Sequence, residues 1–418
     1  MTINNYSYLV HEELRKRNFE AVYIAKPDIF EEEYDSLLRA FQRYYSNVNI
    51  AYSFKTNYIP DFLNIVINKN GYAEVVSIME LKLALKVGFA PSNIFFNGPF
   101  KHKKETCEAL SMGVLVNIDS YDEFEWIEKY AINSETKCRI GIRLNFDFLE
   151  NPSRFGISTS DNAIKEIIDR SNENDNLSLE SLHYHYASRG LSIWKSCAFE
   201  FISFLDKLNN LDVSNLKFVS LGGGMYSAMD DYIKKQLKMD IPSFEEYAEN
   251  SVKYVVDYFR SKRDVVFNPE ILIEPGTAIA SKALDFAAQV VSIKNLNNKG
   301  YINTSCSKYN MNPSSKRINS PIEVYNADNS KTVDVQDAQL TGYTCIESDI
   351  VHDDFTGAVA VGDTIVFREI GAYSMVMKPP FILPDVAIIQ FNKGENSFDI
   401  LRHKQTFNDI FKNFTNLE

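Results

Sequence analysis

Between residues 49 and 276 the chain alternates, eight times over, between a short apolar run and a longer stretch of helical character. Strands are predicted at 49–54, 72–77, 93–98, 114–120, 137–145, 181–187, 218–224 and 270–276. Helix-like stretches at 78–88, 103–113, 121–131, 162–171, 194–210 and 243–261 lie between them, several opened by Ser, Thr or Asp residues that can cap. An earlier stretch, 31–45, carries Tyr34, Leu37, Leu38 and Phe41 at helical spacing. With that helix closing the ring, eight parallel strands predict an α/β fold of the (β/α)8 barrel type; an open doubly wound sheet is the structural alternative.

After Gly276 the rhythm changes. Runs at 283–294, 299–306, 318–327, 331–342, 363–369, 385–392 and 397–402 read as strands separated by Asn, Gly, Asp and Pro turns, with no long helix among them. They predict a C-terminal all-β domain, a β-sandwich or barrel. A short strand at 21–25 precedes the closing helix, and its place in the chain suggests pairing with the β domain. The expected division is a barrel over 28–277 and a discontinuous β domain of 1–27 with 278–418.

Composition excludes several classes. With 418 residues, 45% hydrophobic and 24% charged, the chain can bury a large core. No apolar run reaches membrane-spanning length, and the first residues lack a basic segment followed by an apolar one, so no membrane partner and a cytoplasmic location are expected. A net charge of −12 without a basic stripe argues against nucleic acid. Cys107, Cys138, Cys197, Cys306 and Cys345 are odd in number and widely spaced, which fits neither a disulfide framework nor a zinc motif.

In a barrel, chemistry gathers at the carboxyl ends of the strands. Lys55 ends the first strand, His183 to Ser188 the sixth, Gly222-Gly223-Gly224 the seventh and Glu274-Pro275-Gly276 the eighth, so these residues are expected to converge. Burial of a lone lysine favours its neutral, nucleophilic amine, although such a side chain commonly snorkels outward instead. Three glycines free backbone N–H groups for a close approach to a phosphate, and Gly276 could do the same; a triplet alone is more often a turn. His183 and His185 share a strand face, but no third metal ligand lies nearby at a convincing spacing, so stacking or proton transfer suits them better. Glu274, at a buried strand end, needs a partner: a protonated heterocycle nitrogen or a barrel lysine. A lysine for a Schiff base, glycines for a phosphate, an imidazole to cover a ring and a carboxylate for its nitrogen are together what pyridoxal phosphate asks of a protein.

The chain resembles the ornithine/diaminopimelate decarboxylase family, the fold-type III pyridoxal-phosphate enzymes with an alanine-racemase-like barrel. Tyr52-Ser53-Phe54-Lys55-Thr56-Asn57 is similar to the family's Y-A-x-K-A-N, and 73–81 to D-V-V-S-x-x-E-L. Arg154-Phe155-Gly156-Ile157 resembles K-F-G-I, His183 to Ser188 resembles H-x-H-x-G-S, and Gly222 to Gly224 and Glu274 to Gly276 resemble G-G-G and E-P-G-R. In the second domain, 342–349 resembles G-x-x-C-[DE]-x-x-D and Gly371-Ala372-Tyr373 resembles G-A-Y. The resemblance implies an amino-acid decarboxylase acting through an aldimine on Lys55 and a quinonoid that Cys345 reprotonates. It implies His185 on the cofactor ring, Glu274 at the ring nitrogen, and Ser188, Gly222, Gly223, Gly224, Gly276 and Tyr373 around the phosphate. It also implies a homodimer with shared sites, since that cysteine comes from the partner subunit in the family.

The departures bear on substrate. Thr277 stands where the family usually has Arg, Ile346 where it has an acidic residue, and Ala187 where it has Gly. Both lost charges would contact the far end of diaminopimelate, so a modified or conjugated amino acid, as in polyamine, siderophore or peptide-antibiotic pathways, is the expected substrate. Glu347, or Lys316 and Arg317, are candidate substitutes. An amino-acid racemase, a regulator without cofactor, and a metal hydrolase built on His183 and His185 are the alternatives. Retention of the lysine, glycine triplet, cysteine and tyrosine speaks against the regulator.

Overall fold

A computed structural model describes residues 3–147, 153–208, 216–261, 268–311, 318–328 and 331–417; the candidate charges Lys316 and Arg317 lie outside them. Packing divides the chain into a barrel unit, Glu32–Tyr226 with Ile241–Ala278, and a β unit, Met1–Glu31 with Ser227–Asp240 and Ile279–Glu418.

Strands are numbered along the chain from β1 (Ala21–Ala25). In the barrel unit β2 (Val48–Ser53), β3 (Tyr72–Val75), β4 (Ile94–Phe96), β5 (Leu115–Ile118) and β6 (Cys138–Asn145) are followed by a two-residue β7 (Ile157–Ser158) and then β8 (Leu177–Tyr186), β9 (Phe218–Gly223) and β10 (Glu270–Ile273). The parallel order β5-β4-β3-β2-β10-β9-β8-β6 closes through β5 and β6, which rules out the open doubly wound sheet. Capping is as the sequence suggests: Ser77 accepts from the Glu80 N–H, Ser120 from Glu123, and Ser243 with Glu246 forms a capping box.

Alternate residues of a barrel strand face its interior, and here they form layers. Ala51, Phe95, Leu115, Phe218 and Leu272 cluster with Tyr72 as an apolar layer. One alternation further along the same strands stand Ser53, Glu74, Asn97, Asn117, Ser220 and Glu274, all buried. The interior therefore changes from hydrocarbon to hydrogen-bonding groups along the strand direction, and Lys55 lies in the turn just beyond.

Among the described residues the β unit holds one nine-stranded sheet. β11 (Leu284–Leu296), β12 (Lys299–Thr304), β13 (Ile322–Tyr325), β14 (Val333–Thr341), β15 (Ile350–Val359), β16 (Thr364–Phe367), β17 (Ala387–Asn392) and β18 (Ser397–Arg402) join β1, which is antiparallel to β11 and parallel to β17. Segment 227–240, which a boundary at 277 leaves with the barrel, is held in this unit by Tyr232 on His352 and Gln236 on Asn319. β15 has no counterpart in the sequence reading. Its polar stretch is drawn into strand by pairing with β14, with shifts of register along the way. The helix Ile3–Arg17 was likewise not expected, although Tyr6, Val10 and Leu14 recur at i, i+4 and pack beside Val22, Ile24 and Ile389.

Candidate active site

The polar layer is one connected network. Glu74 Oε2 accepts from Ser53 Oγ at 2.6 Å and from Lys55 Nζ in a close ion pair. Glu74 Oε1 accepts from Asn97 Nδ2 at 3.1 Å, and the same nitrogen donates to Glu274 Oε1 at 3.2 Å. Asn117 Nδ2 donates to Asn97 Oδ1 at 2.7 Å, and Ser220 Oγ to Glu274 Oε1 at 2.7 Å. Glu274 Oε2 meets His183 Nε2 at 3.1 Å and His185 Nδ1 at 3.2 Å. Burial pushes the Glu274 carboxyl up, but the two imidazoles more than offset this and hold it well below the usual carboxylate range. His185, with a side chain 22% exposed, is pushed down by burial despite its contact with Glu274.

Several sequence expectations need correction. Lys55 is not isolated: its side chain is 30% exposed and paired with a carboxylate, so desolvation alone does not define its chemistry. A third ligand type does stand beside the histidines. Nitrogens of His183 and His185 and a Glu274 oxygen lie within 4.8 Å of one another, although 89 residues separate His185 from Glu274. The glycines also do more than free N–H groups. A Cβ on Gly222 would lie 2.5 Å from His185 Nδ1 and 2.7 Å from Glu274 Oε2, so glycine leaves room for that pair, and the Gly224 N–H already donates to Tyr186 O at 3.0 Å.

Among the other expected residues, Ser188 is exposed after β8, and Thr277 Oγ1 accepts from Arg189 Nη2 at 3.4 Å. In the β unit, Cys345 is an exposed free thiol, Glu347 is exposed and Ile346 is half-buried, all three lining a cavity of 880 Å³ with Tyr301 and Tyr343. The loop presenting Cys345 is pinned by Asp349. Its carboxylate accepts from Thr344 Oγ1 at 2.6 Å and from Ser307 Oγ and Lys308 N at 2.9 Å, and a Cβ on Gly342 would come within 2.1 Å of it. Tyr373 sits in the left-handed region at φ 57°, a conformation that costs a non-glycine residue about 1–2 kcal/mol. The sequence reading did not single out Ser53, Asn97, Asn117 and Ser220, although a signal existed: each is a polar residue within or directly after a largely apolar strand.

The family model for the pyridoxal binding domain of pyridoxal-dependent decarboxylases matches residues 31–281, which contain this entire network. The chain belongs to the pyridoxal-dependent decarboxylases. Diaminopimelate decarboxylase of Archaeoglobus fulgidus is 25% identical over 400 residues, 90% of this chain and 89% of the relative. An L-glutamyl-acyl-carrier-protein decarboxylase of Niallia circulans is 24% identical over 359 residues, 81% of each chain. The crystal structure of Helicobacter pylori diaminopimelate decarboxylase complexed with L-lysine shares the fold, with a TM-score of 0.81 at 21% identity, over 96% of this chain and 98% of that one. As a pyridoxal-dependent decarboxylase, this chain is a carboxy-lyase that uses pyridoxal phosphate. Its donor set fits that group. Lys55 offers an amine and Glu274 an ionised carboxylate for a ring nitrogen. Thr56 Oγ1, buried without a hydrogen-bond partner among the described residues, lies against Gly276, where a Cβ would approach it to 2.1 Å, and is a polar atom that a ligand oxygen would satisfy. No described helix is long and apolar enough to cross a membrane.

Proposed function

We propose that this decarboxylase acts on an amino-acid-derived substrate whose far end is not the free amino-acid terminus of diaminopimelate, including substrates carried as conjugates. Ile346 carries the reading. Next to the exposed Cys345 it places half-buried hydrocarbon in a position where the family resemblance calls for a carboxylate. An ammonium brought against hydrocarbon loses its hydration without gaining a partner. The Niallia circulans relative, whose name describes a carrier-bound glutamyl group, supports the idea. Diaminopimelate itself is the second reading. Arg189, 3.4 Å from Thr277 Oγ1, favours it by restoring a cation where Thr277 removes one.

Pyridoxal phosphate, when bound, supplies an electron sink for the pair left on carbon as carbon dioxide departs. Lys55 presents its amine there, and Glu74 is placed to hold the proton at Nζ. Glu274, fixed by four side chains, keeps an ionised oxygen for a protonated ring nitrogen, while His185 offers a partly exposed ring for stacking. Ser188, Gly222, Gly223, Gly224, Gly276 and Tyr373 are the residues that would hold the phosphate. Cys345 would hold at Sγ the proton delivered to carbon. In this reading the enzyme is a cytoplasmic homodimer, and each site takes Cys345 of the partner subunit.

Carbon dioxide release from diaminopimelate, ornithine, lysine, arginine, carboxynorspermidine and a glutamyl-acyl-carrier protein tests the substrate. Release from a conjugated substrate with little from diaminopimelate is expected; brisk release from diaminopimelate overturns the reading. Cα hydrogen exchange in deuterated water without carbon dioxide release would favour a racemase.

A further inference from the structure

We propose that Arg189 is an anion-binding residue of this site, supplying from the loop after β8 the cation that Thr277 leaves out. Four observations place it. Arg189 Nη2 donates to Thr277 Oγ1 at 3.4 Å. Its guanidinium carbon lies over the Tyr226 ring, 5.0 Å from the centroid, a contact that holds the group without neutralising its charge. Its stem lies against the glycine run, since a Cβ on Gly224 would be 2.8 Å from Arg189 Cγ. Its own carbonyl accepts from Tyr247 Oη at 2.7 Å, which anchors the backbone.

Among the described residues this half-buried guanidinium makes no ion pair, whereas Arg139, Arg143, Arg170, Arg368 and Arg402 each pair with a carboxylate. An arginine held in place by an aromatic ring and a hydroxyl keeps most of its donors for a planar or tetrahedral oxyanion. The helix Leu191–Lys207 begins two residues later with no side-chain cap at Gly190, and its Trp194 Nε1 donates to Gly224 O at 2.9 Å, so its first turn packs against the same glycines. Two oxyanions meet this description: the phosphate of the cofactor and a carboxylate of the substrate. The inference rests on the decarboxylase site described above but not on the choice of substrate.

The test compares wild-type protein, Arg189→Met, which keeps the stem, and Arg189→Lys, which keeps the charge without the fork. Cofactor-stripped protein is titrated with inorganic phosphate, pyridoxal phosphate and pyridoxal. Arg189→Met is expected to weaken inorganic phosphate and pyridoxal phosphate by roughly tenfold or more while leaving pyridoxal unchanged, with Arg189→Lys in between. Unchanged phosphate binding together with a raised KM at constant kcat would assign the oxyanion to the substrate. Wild-type affinity of Arg189→Met for inorganic phosphate, pyridoxal phosphate and substrate alike overturns the proposal. Failure of the conjugated-substrate reading would leave the phosphate titrations unchanged, so the two are told apart.

Discussion

Glu74, the carboxylate paired with Lys55, and Glu274, the carboxylate paired with His183 and His185, share a single amide nitrogen: Asn97 Nδ2 reaches Oε1 of the first at 3.1 Å and of the second at 3.2 Å. Both acids are almost fully buried, so each depends on donated hydrogen bonds in place of water. The amide is itself oriented by Asn117.

Replacing Asn97 by Leu removes both donations at once. Each buried carboxylate left short of a donor costs about 1–3 kcal/mol, so Asn97→Leu should unfold in urea with about 2–6 kcal/mol less stability at pH 7. A variant within about 0.5 kcal/mol of wild type would show that the network does not support the fold.

Glu80 makes stability depend on pH. Burial pushes its carboxyl from 4.5 up to about 7, even with the Val76 N–H donating to it. The folded chain therefore binds this proton more tightly than the unfolded one, and the contribution of Glu80 to stability falls as pH rises from about 4.5 to 7, by at most about 3 kcal/mol. His185, pushed down by burial, acts in the opposite direction below its ordinary value of 6.5. The difference between wild type and Glu80→Gln isolates the glutamate. Glu80→Gln should gain on wild type steadily across that window, and a flat difference would refute the assignment.

Gly222→Ala places a methyl group 2.5 Å from His185 Nδ1 and 2.7 Å from Glu274 Oε2. Neither atom can move without giving up its contact with the other. The expected cost is about 1–3 kcal/mol of stability, together with weakened pyridoxal phosphate binding, read by denaturation and by cofactor titration.

A shared site predicts complementation. Lys55→Ala and Cys345→Ala should each be nearly inactive as homodimers. Mixed after subunit exchange, half of the dimers are hybrids with one intact site, so about a quarter of wild-type activity should return. No recovery, with hybrid dimers demonstrated by mass, would place Lys55 and Cys345 in the same subunit's site.

Much of the barrel was legible because its signals are local. The eight strands announce themselves by apolar runs, and Ser77, Ser120 and Ser243 mark helix starts within a few residues of where they act. β15 was not legible, since His352, Asp353 and Asp354 read as loop and only pairing with β14 makes them strand. The polar layer was half legible. Glu74, Asn97 and Ser220 stand out as polar positions in buried strands, but alternation reveals a shared face and not which strands are neighbours.

By itself, then, the sequence determined the alternation that builds the barrel, the lysine, glycine and carboxylate motifs at its strand ends, and the departures at Thr277 and Ile346. These are properties of short segments, whose periodicity and residue types act over a few positions. Only the tertiary structure decided that Asn97 bridges to Glu274 across 177 residues and that Arg189 stands beside Thr277 across 88. Strand order in the curled sheet sets both contacts: it gathers side chains from the ends of β4 and β10 in one small, water-poor interior where each charge must find a partner, and it sets the loop after β8 beside the residues that follow β10.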